Sequence, residues 1–343
     1  MHAVVRRPGQ LTYEEITEPV PGEGQVLVRT LACGICGTDL HAFHHLGGFL
    51  DGLRRSGDPL PTVENEPVVF GHEFCGEVLE LGPGTNGRFA PGSRVVGLPY
   101  VTGPQGAEYV GYSNRFPGGL GERMVLTERL LFAVPDGLSA EHAALTEPLS
   151  VGAHAVERAS IAGPAVVVVV GLGPIGLAVV AALKARGIGP VIGMDFSAGR
   201  RRFAEAMGAD EVVDPAVEPI EAVWGRSGSG RDRRPVVFEC VGRPGVAQEI
   251  LSTVPRRGLV VVVGNALEAS TLDQVMAFNK ELDICFSSNF TRREFGETLR
   301  HIADGAIDVS PLITAVVRPE DTPAAFEALR DPESHAKIVV SFT

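Results

Sequence analysis

At 343 residues the chain is long enough for two domains, and its 44% hydrophobic and 21% charged content is ordinary for a globular enzyme with large cores. A formal charge of −12 argues against a nucleic-acid partner or an anionic membrane surface, and no apolar stretch reaches the roughly 20 residues of a membrane span. Five cysteines without disulfide-scaffold spacing, and an N-terminus without an apolar signal core, place the expected location in the cytoplasm.

The first 150 residues are rich in Gly and Pro and carry short alternating apolar runs at 25–31, 77–81, 94–98 and 123–126. Short strands broken by turn residues predict a mainly-β, barrel-like first domain. The character changes near Glu147-Pro148-Leu149. Beyond it, strands are predicted at 166–170, 191–195, 211–213, 236–240, 259–263 and 283–286, separated by helical stretches. That alternation predicts a doubly wound, six-stranded parallel sheet, the Rossmann α/β class. The last stretch returns to short mixed elements and is expected to pack on the first domain. The expected units are therefore 1–152 with 289–343, carrying catalysis, and 153–288, carrying a dinucleotide. The basic clusters Arg200-Arg201-Arg202 and Arg231–Arg234 read as a solvated helix face and a loop.

Within the second unit the run 165–170, Ala followed by five valines, reads as a strand buried on both faces. It leads directly into Gly171-Leu-Gly173-Pro174-Ile175-Gly176. Gly171 allows a tight turn, Gly173 lets backbone approach a pyrophosphate, and Gly176 lets the following helix, predicted at 177–186, lie close to the strand. The helix N-terminus would face the phosphates. Asp195 ends the next strand 19 positions after Gly176, where an acidic residue binds a ribose 2′-hydroxyl. The expected ligand is a nicotinamide dinucleotide, and NAD rather than NADP, because Asp195 repels a 2′-phosphate. Arg200 is expected near the adenine, and Val241, after the fourth strand, among the cofactor contacts.

The first unit holds Cys33-Gly-Ile-Cys36-Gly-Thr38-Asp39-Leu-His41 and Gly71-His72-Glu73. Taken singly these segments are weak: Cys-x-x-Cys also serves redox pairs and zinc knuckles, but no second pair completes a four-sulfur site. In order with Glu147-Pro148-Leu149, the glycine turn and Asp195, they resemble the zinc-dependent medium-chain alcohol and polyol dehydrogenases over essentially the whole chain. Late segments such as 279–282 and 308–313 are similar too. The resemblance implies a GroES-like catalytic domain and one catalytic zinc per chain, with Cys36 and His72 as ligands.

Typical members supply a third cysteine where this chain has Glu147, which is the pattern of the sorbitol and butanediol dehydrogenase branch. Glu73 is a competing carboxylate, and the sequence leaves open how the two divide the work. A Cys, His and carboxylate set leaves the fourth position open for water or alcohol. Asp39 would accept a hydrogen bond from the far nitrogen of His72. No cysteine lies between Gly97 and Arg123, so the second, structural zinc of many relatives is expected to be absent. Cys75, Cys240 and Cys285 read as core.

Zinc of this kind lowers the pKa of a bound hydroxyl so that hydride can pass to the nicotinamide. By the resemblance, Thr38 hydrogen-bonds the reacting oxygen and His41 passes the proton to solvent, a role suited to a group titrating near neutrality. Lys337 aligns with a position that contacts cofactor phosphate. The expected substrate is a small secondary alcohol, diol or polyol, or the matching ketone. An apolar edge at 282–286 predicts a homodimer or homotetramer. Two other readings are a zinc-free NADPH quinone or enone reductase of the same fold, and a non-catalytic binding protein that retains it. The cysteine and the Gly-His-Glu segment argue against the first, and the complete ligand set with Thr38 and His41 against the second.

Overall fold

A computed structural model describes residues 1–58, 60–103, 106–227, 233–266 and 268–343. Arg231, in the second basic cluster, falls outside these. The N-terminal strands are β1 (His2–Arg7), β2 (Gln10–Glu15) and β3 (Gln25–Gly34), followed by helix α1 (Gly37–Ser56). Then come β4 (Val68–Val69), β5 (Glu73–Leu81), β6 (Arg94–Gly97), the hairpin β7 (Tyr100–Gly103) and β8 (Gly106–Tyr109), β9 (Arg123–Thr127) and β10 (Leu131–Ala133). Helices α2 (Ala140–Ala144) and α3 (Thr146–Ala159) lead into β11 (Ala165–Val170), α4 (Pro174–Ala185), β12 (Val191–Met194), α5 (Ala198–Ala206) and β13 (Glu211–Val213). The alternation continues with α6 (Ile220–Arg226), β14 (Arg234–Glu239), α7 (Val246–Thr253), β15 (Leu259–Val262), α8 (Gln274–Lys280) and β16 (Asp283–Phe286). The chain closes with α9 (Arg292–Ala303), β17 (Ile313–Val317), α10 (Thr322–Ala328) and β18 (Lys337–Ser341).

The valine run becomes β11, the centre of a sheet in the order β13-β12-β11-β14-β15-β16, every pairing parallel. Val166 through Val169 are fully buried, because helices cover both faces of a parallel sheet and only continuous apolar runs suit such strands. This strand order is the doubly wound Rossmann arrangement. The predicted strand limits of this sheet hold to within a residue except that β14 begins two positions before the predicted 236; Asp195, Cys240 and Val263 fall one position past β12, β14 and β15.

The second sheet follows the order β10-β6-β5-β3-β18-β17, with β9 also paired to β3. Two of its strands come from the far end of the sequence: β18 lies antiparallel to β3 and parallel to β17. This mainly-β unit with an edge built from late residues is the GroES-like half. A small sheet β2-β1-β4 and the β7–β8 hairpin flank it.

Helix α1 lies where no helix is predicted from the sequence. Its ends are strongly specified. Cys36 caps it in a reciprocal capping box with Asp39, and Gly57 closes it in the left-handed conformation. His45 departs from helical backbone angles and marks a kink.

Candidate active site

The antiparallel pairing of β3 with β5 sets Gly34 opposite Glu73, which brings the segment after β3 beside the segment before β5. Cys36 stands just past β3 and His72 just before β5, so both face the same spot. Gly34 is needed there: a methyl group on it would stand 2.2 Å from a Glu73 carboxylate oxygen. The donor atoms of Cys36, His72 and Glu73 all lie within 4.8 Å of one another. A thiolate, an imidazole and a carboxylate converging in a buried place are a donor set suited to zinc.

Asp39 is fully buried, and its two oxygens divide between the two segments. Oδ2 accepts the Cys36 backbone N–H at 3.2 Å. Oδ1 faces His72 Nδ1 at 3.4 Å, outside hydrogen-bond geometry, so that buried ring nitrogen is otherwise unpartnered. With Nδ1 turned to Asp39, the other ring nitrogen is the one available to a metal. Burial opposes a charged imidazole, but the carboxylate of Asp39 and the thiolate of Cys36 outweigh it and hold His72 well above its ordinary range. A cation at the far nitrogen would take the place of that proton.

Glu147 sits in the first turn of α3 and is buried. Burial, with the neighbouring carboxylates Glu73 and Asp39, pushes it up to about 7 against the opposing pull of His72 and Lys337. It lies within the field of the cluster but outside the group of three whose donors converge. Tyr109 and Tyr112 pack against the His72 ring at centroid distances of 5.7 and 5.4 Å, and Tyr100 packs on Tyr109 at 4.9 Å. Burial raises the Tyr109 phenol well above its usual range, and Tyr100 is raised by burial with Asp58 and Glu147 close by. Thr38, in the first turn of α1, donates its N–H to Cys36 Sγ at 3.4 Å. His41 is exposed on the same helix, 5.4 Å from the ring of His45. Partial burial and the neighbouring His45 and His44 lower its pKa.

At the glycine turn, Gly171 has a φ of +87°. A methyl group on Gly176 would stand 1.9 Å from the Gly171 carbonyl oxygen, so helix and strand meet at a distance only glycine permits. Gly173 precedes α4 with open space where a side chain would stand, and Pro174 opens the helix beside Ile175. The helix N-terminus carries no side-chain cap, leaving its N–H groups for an anion. Asp195 accepts the Leu172 N–H on Oδ2 and the Ser197 N–H on Oδ1, both at 2.9 Å. These bonds tie its carboxylate to the turn. Arg200 comes within 3.6 Å of it, and Val241 is partly exposed beside Gly171.

The zinc-binding dehydrogenase profile matches residues 174–304, and the alcohol dehydrogenase GroES-like domain profile matches residues 22–136. The chain is 34% identical to the (R,R)-butanediol dehydrogenase of Bacillus subtilis over 96% of both chains. The protein belongs to the zinc-binding alcohol dehydrogenase family. This zinc-binding dehydrogenase is also 31% identical to the sorbitol dehydrogenase of Gallus gallus, over 96% of this chain and 93% of that one. The crystal structure of 2R,3R-butanediol dehydrogenase from Bacillus subtilis superposes with a TM-score of 0.84 at 30% identity, covering 100% of this chain and 99% of that one.

In two places this dehydrogenase departs from its sequence-based expectations. Lys337 does not reach the cofactor surface. The β18 register turns it inward, where its ammonium, 1% exposed, donates to both Glu73 oxygens at 2.7 and 2.8 Å and to the Ile35 carbonyl at 3.0 Å. Cys240 and Cys285 are only partly buried, packed against the margin of the core, while Cys75 is fully buried. Tyr112 and Lys337 were the site residues without a local sequence signal. Their partners are distant in the chain.

Proposed function

We propose that this protein is a zinc- and NAD-dependent dehydrogenase that exchanges hydride with a neutral secondary alcohol, diol or polyol. The observation that carries the reading is the convergence of Cys36, His72 and Glu73 donors within 4.8 Å in a chain that also holds the complete dinucleotide turn. Cys36, His72 and Glu73 would hold the zinc, which would supply Lewis-acid activation of a substrate hydroxyl.

The chain's own residues do the rest. Asp39 orients His72 through Nδ1. Thr38 receives a hydrogen bond from the reacting hydroxyl, and His41, kept neutral near pH 7 by its lowered pKa, takes the proton outward. Glu147 is the second carboxylate, buried within the field of the cluster, where its negative charge would favour a cation held by the other three. Gly171, Gly173, Pro174, Ile175 and Gly176 hold the pyrophosphate at the α4 N-terminus, Asp195 takes the ribose hydroxyls, and Arg200 and Val241 flank the cofactor. The catalytic unit is 1–152 with 289–343, and the cofactor unit is 153–288.

Charge favours a neutral substrate. Glu147 and Asp58 both act on Tyr100, and the two cationic groups acting on Glu147 are already engaged, His72 beside Asp39 and Lys337 with Glu73. A phosphate or carboxylate on the substrate would meet this acidic surrounding. The names of the similar butanediol and sorbitol dehydrogenases agree with a diol or polyol. Strand β16 is a sheet edge with Phe286 63% exposed, so we propose that two copies pair there in a homodimer or a tetramer of such pairs.

The test is metal analysis of the purified protein, together with cofactor reduction monitored by absorbance across secondary alcohols, diols and sugar alcohols. One zinc per chain and reduction of NAD by a diol or polyol are expected. A zinc-free protein reducing quinones or enones with NADPH overturns the proposal, as does a zinc protein inactive on every alcohol.

A further inference from the structure

The lobe between β6 and β9 has no cysteine with which to bind a metal of its own, yet it is firmly attached. Its backbone docks on the segment before β5, with the N–H groups of Gly118, Gly119 and Leu120 donating to the carbonyls of Val69, Gly71 and Phe70. Asn114 bridges to the Val63 and Pro67 carbonyls, and the Thr62 hydroxyl donates to the Tyr112 carbonyl. Its contact with Asp39 and His72 is made by Tyr112. The ring is 2% exposed, and it lies between Phe49, at a centroid distance of 4.9 Å, and His72. The hydroxyl donates to Asp39 Oδ1 at 2.7 Å. This is the same oxygen that faces His72 Nδ1 at 3.4 Å, while the other oxygen holds the Cys36 backbone. One buried carboxylate therefore joins two metal-binding segments to a lobe residue.

We infer that Tyr112 is a positioning residue that couples the order of this lobe to the metal held by Cys36 and His72. The inference rests on the zinc reading of the site. A carboxylate that orients a ligating histidine works only if it is itself held, and loss of such a partner typically weakens metal binding. Tyr112 holds Asp39 by the oxygen that faces His72, with its ring packed against that imidazole. Coupling of this kind is reciprocal: an ion that fixes His72 and Asp39 also fixes the hydroxyl bonded to them, and with it the lobe.

The test uses the full-length protein and Tyr112→Phe, which keeps the ring and removes the hydroxyl. Zinc affinity, measured by competition with a chelator, is expected to fall roughly 10- to 100-fold. The visible absorption of the cobalt-substituted variant is expected to shift. In the wild type, proteolysis within 106–118 is expected to speed up when zinc is removed, and this measurement needs no variant to fold. A Tyr112→Phe protein with wild-type zinc affinity and cobalt spectrum overturns the inference, and so does a wild-type lobe cut equally fast with and without zinc. A wild type that takes up no zinc fails differently, since it overturns the reading of the site itself.

Discussion

The Lys337 ammonium lies 2.7 and 2.8 Å from the two carboxylate oxygens of Glu73, with neither side chain more than 1% exposed. Removing one partner of a buried ion pair leaves the other charge uncompensated, which typically costs about 3–5 kcal/mol. Lys337→Met is therefore expected to lower the unfolding free energy by about that much, read from urea denaturation. A loss under about 1 kcal/mol, the range of exposed pairs, would show that the pair contributes little.

Glu73 and Glu147 are separated by the same kind of experiment. Glu73→Gln is expected to empty the site, because its carboxylate is among the converging donors. Glu147→Gln is expected to retain zinc at lower affinity. Metal content per chain after dialysis decides between them, and the reverse pattern makes Glu147 the third ligand.

Zinc retention should weaken as the medium becomes acidic. His72 is held well above its ordinary range when no metal competes, and Glu147 titrates at about 7. Zinc must displace the His72 proton, and below about 7 Glu147 also loses the negative charge that favours a cation. Each displaced proton contributes about tenfold in affinity per pH unit. Chelator competition at several pH values measures the slope. An affinity that does not change with pH contradicts the assignment of His72 as a ligand.

Asp195 is expected to select the cofactor. Asp195→Ser removes a charge-assisted acceptor worth about 1.5–3 kcal/mol, so the Michaelis constant for NAD should rise roughly 10- to 150-fold while discrimination against NADP relaxes. A wild type that already prefers NADP contradicts this role.

Assembly is measured by light scattering at micromolar concentration. A mass of two or four chains is expected, since β16 otherwise leaves a row of unpaired backbone groups beside the exposed Phe286. A mass of a single chain, 36.2 kDa, rules out pairing along this edge.

The Rossmann half was legible because its signals are local: a valine run, a glycine turn and an acidic residue lie within about 30 positions. Cys36, Asp39 and His72 were legible for the same reason, each standing in a short motif. Helix α1 was not legible as a helix, since Gly47, Gly48, Gly52 and three histidines blur its apolar stripe. Its caps and the burial of Ala42, Leu46, Phe49 and Leu50 hold it instead. The roles of Lys337 and Tyr112 depend on partners 264 and 73 positions away, and no periodicity in a sequence announces a tertiary hydrogen bond.

The insertion of β18 between β3 and β17 has a consequence for synthesis. At the usual elongation rate of about 5–20 residues per second, the 264 positions from Glu73 to Lys337 take roughly 13 to 53 s to make. Throughout that time the growing polypeptide carries a carboxylate destined for the interior with no counter-ion to accompany it. The parallel sheet β11–β16 is complete before this, but its core is shared with residues at both ends of the chain, among them Leu31, Phe295 and Val339. The catalytic half must wait, open, for its last strand.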